Sequence, residues 1–308
     1  MSKQRDLDNG NKFGPADRTI ERRLSGALLI TVFIFIMELV GGFLSNSLAL
    51  KSDAGHLLGD VMALGLSLLA VKISRLPPSS KRTYGYHRSE VLAAIINGTT
   101  LLFLAGYIFY KAYHRLMEPE PIKSGLMLVV AVLGFSANLF VLIRLRDHAS
   151  ENLNVRAAFL HVLGDMLASI GVVIGGAIML FSGNFIVDPL ISFLVGLLIL
   201  FGAAGILREG INILLEGVPR SINYQQLKKD MEEVDGAISV HDLHIWTISS
   251  SRLALSAHII VPAQSTHAGQ EIMQAIKILL RDKYNINHTT LQIECECCLD
   301  ESCGCRVN

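Results

Sequence analysis

The chain has 308 residues, and its 27 Lys and Arg balance 27 Asp and Glu, so the net charge is zero with histidines neutral. Apolar residues make up 51% and charged residues only 18%, with a mean hydropathy of +0.45, against roughly 25% charge in globular proteins. This excludes disorder over most of the length, which needs low hydrophobicity and high net charge, and it lacks the basic excess of a nucleic-acid binder.

Residues 1–23 form a polar tail with six basic and four acidic residues. Residues 24–215 hold only 24 charges in 192 positions, and a bilayer core needs about 20 mostly apolar residues per helix. Six spans are expected, at 24–44, 53–71, 90–112, 124–146, 157–181 and 188–210. Six spans put both termini on one side, and cytoplasmic loops carry the Lys and Arg excess. One side collects fourteen basic residues: Lys3, Arg5, Lys12, Arg18, Arg22, Arg23, Lys72, Arg75, Lys81, Arg82, Arg88, Arg144, Arg146 and Arg156. The other holds four, Lys51, Lys111, Arg115 and Lys123. Both termini are therefore expected in the cytoplasm of a multi-pass protein of the cell membrane. The polar start and the long first apolar run argue against a cleaved signal peptide.

The second and fifth spans repeat one motif, His56-Leu57-Leu58-Gly59-Asp60 and His161-Val162-Leu163-Gly164-Asp165. Residues four apart share a helix face, so each helix offers an imidazole beside a carboxylate. Two such helices facing each other supply two nitrogens and two oxygens, enough to close a tetrahedron around Zn²⁺. In a soluble helix, packing or capping would be the ordinary reading of His and Asp. Inside an apolar span, ionisable groups are expensive and mark function. A shell of four protein ligands leaves no open position for an activated water, and no HExxH signature is present, so binding and release fits better than hydrolysis. Metal binding needs neutral imidazole and ionised carboxylate, so protons and metal compete for the site. An inward proton gradient can then drive metal outward.

Asp53, one turn before His56, either guides a cation inward or caps the helix, with capping the expected role. Glu38 and Asn138, also polar within spans, are read either as hydrogen-bonding partners of the ligands or as contacts between helices.

From Glu216 the pattern changes, with 20 charges in 93 positions. Residues 223–235 suit an amphipathic helix, 240–249 and 253–261 alternate like strands, 267–284 return to helical spacing, and 288–294 read as a last strand. The result is a compact α-β-β-α-β unit. His241 and His258 fall on strands expected to be neighbours, and Glu294 ends the third. His244 and Trp246 alternate with Asp242 and are expected to pack or to face a partner. His267 is expected at a helix start, and His87, His114 and His148 at the surface. All five cysteines, Cys295, Cys297, Cys298, Cys303 and Cys305, fall in the last fourteen residues. In a reducing compartment, clustered thiols point to metal rather than disulfides, although their spacing matches no standard zinc finger.

Five stretches together resemble the cation diffusion facilitator family: SLALKSDAGHLLGD (47–60), YGYHRSEVLAA (84–94), the second HxxxD at 161–165, HDLHIW (241–246) and TLQIE (290–294). The resemblance covers about residues 24–296. It implies a six-helix membrane domain at 24–215 and a cytoplasmic ferredoxin-like domain at 216–294 that mediates homodimerisation, before a Cys-rich tail at 295–308. It also implies divalent metal export by proton antiport. In that family the positions of His56, Asp60, His161 and Asp165 form the transport site. The His-Asp, His-Asp version resembles the zinc-transporting branch, with cadmium or cobalt as secondary substrates; imidazole also suits zinc better than manganese. The positions of His241, His258 and Glu294 belong to a cytoplasmic metal site near the dimer interface, where zinc is a structural or regulatory ion. A further histidine often precedes the last strand in that family; His288 fills this place, or Asn287 in the alternative register. The loop LPPSSKRTYGYHR (76–88) departs from members with a second metal site there, and RDHASENLNVR (146–156) departs from members with a His-rich loop.

Two readings of other classes stand beside the exporter. A membrane-anchored metal sensor would need no ligands in mid-membrane. An intramembrane metalloenzyme would need an open coordination position and a base or nucleophile.

Overall fold

The computed structural model describes residues 15–74, 76, 79–146, 153–249, 252–262 and 266–295. Six long helices come first: α1 (Pro15–Ser45), α2 (Leu48–Ser74), α3 (Ser89–Met117), α4 (Ser124–Arg146), α5 (Leu153–Ser182) and α6 (Val187–Leu214). They are followed by α7 (Tyr224–Glu232), β1 (Ser239–Ser249), β2 (Arg252–Val261), α8 (Thr266–Tyr284) and β3 (His288–Cys295). The chain thus has a helical transmembrane domain followed by a small α-β-β-α-β domain.

Among the described residues, α3, α4, α5 and α6 each contain a stretch long and apolar enough to cross a membrane. The apolar part of α1 is shorter, Leu29–Ser45, and α2 carries Lys51, Asp53 and Asp60 in its first half. Large apolar side chains point outward from these helices, with Phe103 76% exposed, Phe181 88% and Phe201 71%. In water such a surface would be an aggregation hazard; against lipid it is the expected exterior.

The chain divides into two compact units. One takes in the described residues up to Gly65 together with Asn97–Ala204; the other takes in Leu66–Ile96 and the described residues from Gly205 onward. In the first, Gly41 and Gly134 let α1 approach α4. A Cβ at Gly41 would lie 2.7 Å from Val130 Cγ1, and one at Gly134 would run into Glu38 Oε1. Helices pack this way in lipid, where small residues allow close backbone approach. The turn between α1 and α2 is made by Asn46 at φ +60, a left-handed position that Asn tolerates.

In the second unit the strands form one sheet in the order β1-β2-β3, with β1 and β2 antiparallel and β2 and β3 parallel. The parallel pair is joined through α8, as a crossover requires. This is the ferredoxin-like β-α-β-β-α-β order short of its opening strand. One sheet face is apolar: Val240, Ile245, Leu255, Ala257 and Ile259 close on Leu227 and Met231 of α7 and on Ile272, Ile276 and Leu280 of α8. The other face carries the histidines. Helix α7 starts under an Asn223 cap whose Oδ1 accepts from Gln226 N at 3.1 Å. It stops at Glu232, before the expected 235, because the chain turns at Gly236, φ +88, a conformation that favours glycine.

Candidate metal sites

Helix α2 sets His56 and Asp60 one turn apart, and α5 sets Asp165 opposite them. The His56 Nε2–H donates to Asp165 Oδ1 at 3.1 Å. His56, Asp60 and Asp165 each offer a ligand atom within 4.8 Å of the others. Ligand atoms around a tetrahedral zinc stand roughly 3.4 Å apart, so the contact from His56 to Asp165 is already near coordination spacing. His161 lies on α5 one turn before Asp165, but its side chain falls outside the described residues.

Asp53 is buried inside α2 and accepts from Ser169 Oγ of α5 at 3.4 Å; Asn138 Nδ2 of α4 donates to the same Ser169 Oγ at 3.4 Å. It is not a helix cap. The helix begins five residues earlier, at Leu48, where the Asp188 carboxylate receives the free amides of Leu48 at 2.7 Å and Ala49 at 3.1 Å. Glu38 of α1 is 1% exposed, and its Oε2 has no hydrogen-bond partner. Acidic or amide groups of α1, α2, α4 and α5 are thus all buried in this unit. Sequence reasoning did not find Ser169, whose only sign is its place one turn beyond Asp165. It also did not find Asp188, whose sign is an acid directly before Pro189 at the start of an apolar span.

The second cluster lies on the open face of the sheet. Cross-strand pairing sets His241 opposite His258, with their rings 5.3 Å apart. Glu294 bridges them: its Oε2 is 3.2 Å from His241 Nε2 and its Oε1 is 2.7 Å from His258 Nδ1. The three offer ligand atoms within 4.8 Å of one another, and the buried His241 Nδ1 has no partner. Two imidazoles and a carboxylate are a donor set that fits zinc.

A β-bulge between His241 and His244 inserts Asp242, at φ +48. The extra residue changes the strand's phase, so His244 and Trp246 share the face of His241 instead of opposing it. Asp242 Oδ1 stands 2.9 Å from His244 Nε2, and its Oδ2 is 3.7 Å from His258 Nε2, an addition to the cluster that simple alternation hides.

His288 is not brought to this cluster. It opens β3 opposite Ala254, six residues from Glu294 and so roughly 20 Å along the strand, with its ring edge-on to Tyr84 at 5.6 Å. Asn287 precedes the strand and does not join the cluster either. Cys295 ends β3, but its side chain, together with Cys297, Cys298, Cys303 and Cys305, lies outside the described residues, as does His148. His267 sits in the first turn of α8, 3.6 Å from Glu271. His87 Nε2 accepts from Arg252 at 3.0 Å, and the His114 ring packs against Tyr110 and Tyr113.

Comparison with known proteins matches two successive segments of the chain. Residues 26–215 match the cation efflux transmembrane domain, and residues 219–296 match the cytoplasmic domain of cation efflux proteins. The cation efflux system protein CzcD of Alcaligenes sp. (strain CT14) is 41% identical over 278 residues, 90% of this chain and 88% of that protein. The zinc transporter ZitB of Escherichia coli (strain K12) is 40% identical over 286 residues, 92% of this chain and 90% of that protein. A cadmium, cobalt and zinc/H(+)-K(+) antiporter of Bacillus subtilis (strain 168) is 38% identical over 272 residues, 87% of each chain.

Proposed function

The chain belongs to the cation diffusion facilitator family of metal-cation efflux transporters, and from that premise we propose that it exports Zn²⁺ from the cytoplasm in exchange for protons. It is a transporter rather than an enzyme. The transport site comprises His56, Asp60, His161 and Asp165. The observation that carries this reading is the contact of His56 with Asp165 across α2 and α5, with Asp60 in ligand range.

The exchange follows from the donors. When His56 is an imidazolium, protonated on both ring nitrogens and donating from Nε2 to Asp165, the site is closed to a cation. Loss of that proton frees a nitrogen and an oxygen for Zn²⁺, and return of a proton expels the ion. Cadmium and cobalt, both named in the Bacillus relative, accept similar geometry and are the alternative substrates.

Six membrane crossings at 24–215 with both termini in the cytoplasm fit the basic residues of the tail and the loops. Residues 216–294 act as the cytoplasmic dimerisation domain of a homodimer. The cluster of His241, His258 and Glu294 holds a structural or regulatory zinc there, with the cysteine tail at 295–308 as a further thiolate source. If that domain were the active part of a membrane-anchored sensor, flux would not depend on Asp60.

The test is metal uptake into proteoliposomes for a panel of divalent ions, with and without an imposed pH gradient. Zn²⁺ flux should exceed that of Mn²⁺ and rise with a proton gradient directed against it. Zn²⁺ flux indifferent to the gradient would sink the antiport.

A further inference from the structure

The residues leading into α3 make a tight turn. Ser79 N donates to Arg82 O at 3.1 Å and Arg82 N donates to Ser79 O at 2.9 Å, and the Arg82 carbonyl accepts again from Gly85 N at 2.9 Å. Gly85 has φ +68, a left-handed position that favours glycine. The Arg82 guanidinium lies 4.4 Å from the centre of the Tyr86 ring, and Arg88 Nη2 donates to Glu216 Oε1 at 2.8 Å. These contacts hold the turn within the second unit, which also contains the sheet.

A cleft of about 540 Å³ lies between the turn and the sheet, in the size range of small-molecule sites. Thr83, Tyr84 and His87 line it from the turn. Arg252, the first residue of β2, and Asn287 and His288 at the start of β3 line it from the sheet. Each of these six side chains has an N–H or O–H to donate, and no carboxylate is among the described residues of the wall. Ile248 and Leu253 add apolar surface.

The contact between Arg252 and His87 decides which kind of ligand this wall suits. Arg252 Nη1 donates to His87 Nε2 at 3.0 Å. A guanidinium has no lone pair to offer, so Nε2 must accept, and the neutral ring then carries its proton on Nδ1. Neither nitrogen of His87 is left to coordinate a metal cation. The charge of Arg88 is met by Glu216, whereas the guanidinium of Arg252 meets this uncharged imidazole and keeps its attraction for an anion.

We propose that the cleft binds a phosphate group, either as inorganic phosphate or as the phosphate monoester of an anionic lipid headgroup. Guanidinium, imidazole, amide and hydroxyl donors converge from both walls, which suits a tetrahedral anion with several acceptor oxygens. Ile248 and Leu253 would take the carbon part of an ester. The site is separate from both metal clusters, and the proposal does not depend on the transporter reading.

The test uses the metal-free full-length chain in nanodiscs. In one arm the lipid is phosphatidylcholine, and radiolabelled inorganic phosphate is titrated by equilibrium dialysis. In the other the discs also hold phosphatidic acid, and the lipid retained by the chain after detergent extraction is measured by mass spectrometry. Saturable uptake in the first arm supports the soluble source. Phosphatidic acid retained in preference to phosphatidylcholine, without uptake of free phosphate, supports the lipid source.

In whichever arm binds, Arg252→Gln should weaken binding roughly tenfold or more, as loss of a charge-assisted hydrogen bond does. Arg252→Lys keeps the charge and should lose less. Arg252 and His288 are exposed, so the circular dichroism of their variants should match the parent's. No binding in either arm overturns the proposal, and so does binding that Arg252→Gln leaves unchanged. A count of zinc per chain that falls with His288→Ala would make the cleft a metal site and overturn it too.

Discussion

Asp60 and Asp165 are carboxylates in helices whose outer surfaces are apolar, and such groups persist in lipid only with partners that neutralise or use them. Asp165 has its partner in His56 at 3.1 Å. On the transport site proposed above, Asp60→Ala should lower Zn²⁺ flux roughly a hundredfold or more, as removing a ligand costs at least what removing a supporting hydrogen bond does. Zinc bound by the cytoplasmic domain should be unchanged, and a proteoliposome assay beside a metal count on the same chain checks both.

A second residue-scale pair lies outside the membrane. The Asp230 carboxyl of α7 accepts from Lys283 and Tyr284 at the end of α8, and from Gln226 at 2.7 Å. Those bonds hold its pKa down to about 2, while burial and the same carboxylate push the Tyr284 hydroxyl up to about 12. A depressed carboxyl pKa stabilises the fold fully above the unfolded value near 3.9, and that stabilisation is lost as pH falls through about 2. A raised phenol pKa stabilises below about 10, and that contribution is lost as pH rises through about 12. The single tryptophan, Trp246, lies in this domain, so urea unfolding followed by its fluorescence reports it. Asp230→Asn should flatten the acid limb of stability between pH 4 and pH 2; a profile identical to the parent chain would refute the assignment.

At the scale of elements, the helical pairing in the membrane depends on small residues. An alanine methyl at Gly134 would meet Glu38 Oε1, whereas one at Gly125 would meet nothing within 4 Å. Gly134→Ala should cost about 1–3 kcal/mol by forcing α1 and α4 apart. Gly125→Ala should leave the thermal midpoint of the detergent-solubilised chain unchanged or slightly higher.

Element order in the cytoplasmic domain was legible because each strand and helix there has its own periodicity: strands expected at 240–249, 253–261 and 288–294 fall at Ser239–Ser249, Arg252–Val261 and His288–Cys295. The bulge at Asp242 was not legible. Two-residue alternation assumes unbroken pairing, and an inserted residue is visible only when the partner strand is in place. It reverses the side on which His244 and Trp246 are expected and leaves that of His241 intact. His288 shows a different failure: it is the first residue of the last strand, and a histidine at one end of a strand cannot reach a carboxylate at the other.

For the whole molecule, the membrane and cytoplasmic clusters make separable predictions. Replacing His241 and His258 together by alanine should lower the zinc bound per full-length chain by about one ion, while basal flux through the membrane site persists. An unchanged stoichiometry by metal analysis would refute the cytoplasmic site. Because α7, α8 and the sheet close their own core, the substitutions should leave the membrane helices folded, which circular dichroism checks.

Hydropathy and spacing alone set out the long apolar helices, the small α-β-β-α-β domain, and the two His-xxx-Asp faces, because each depends on residues within a few positions of one another. The tertiary structure decided which groups meet across the bundle: Ser169 beneath Asp53, Glu38 against Gly134, Glu294 between two histidines, and Asp188 capping a helix that starts 140 residues earlier in the chain. Local periodicity tells which face a side chain occupies. Only the packing of distant segments determines what faces it, and in a low-dielectric interior that opposing group decides whether a charge is a ligand or a cap.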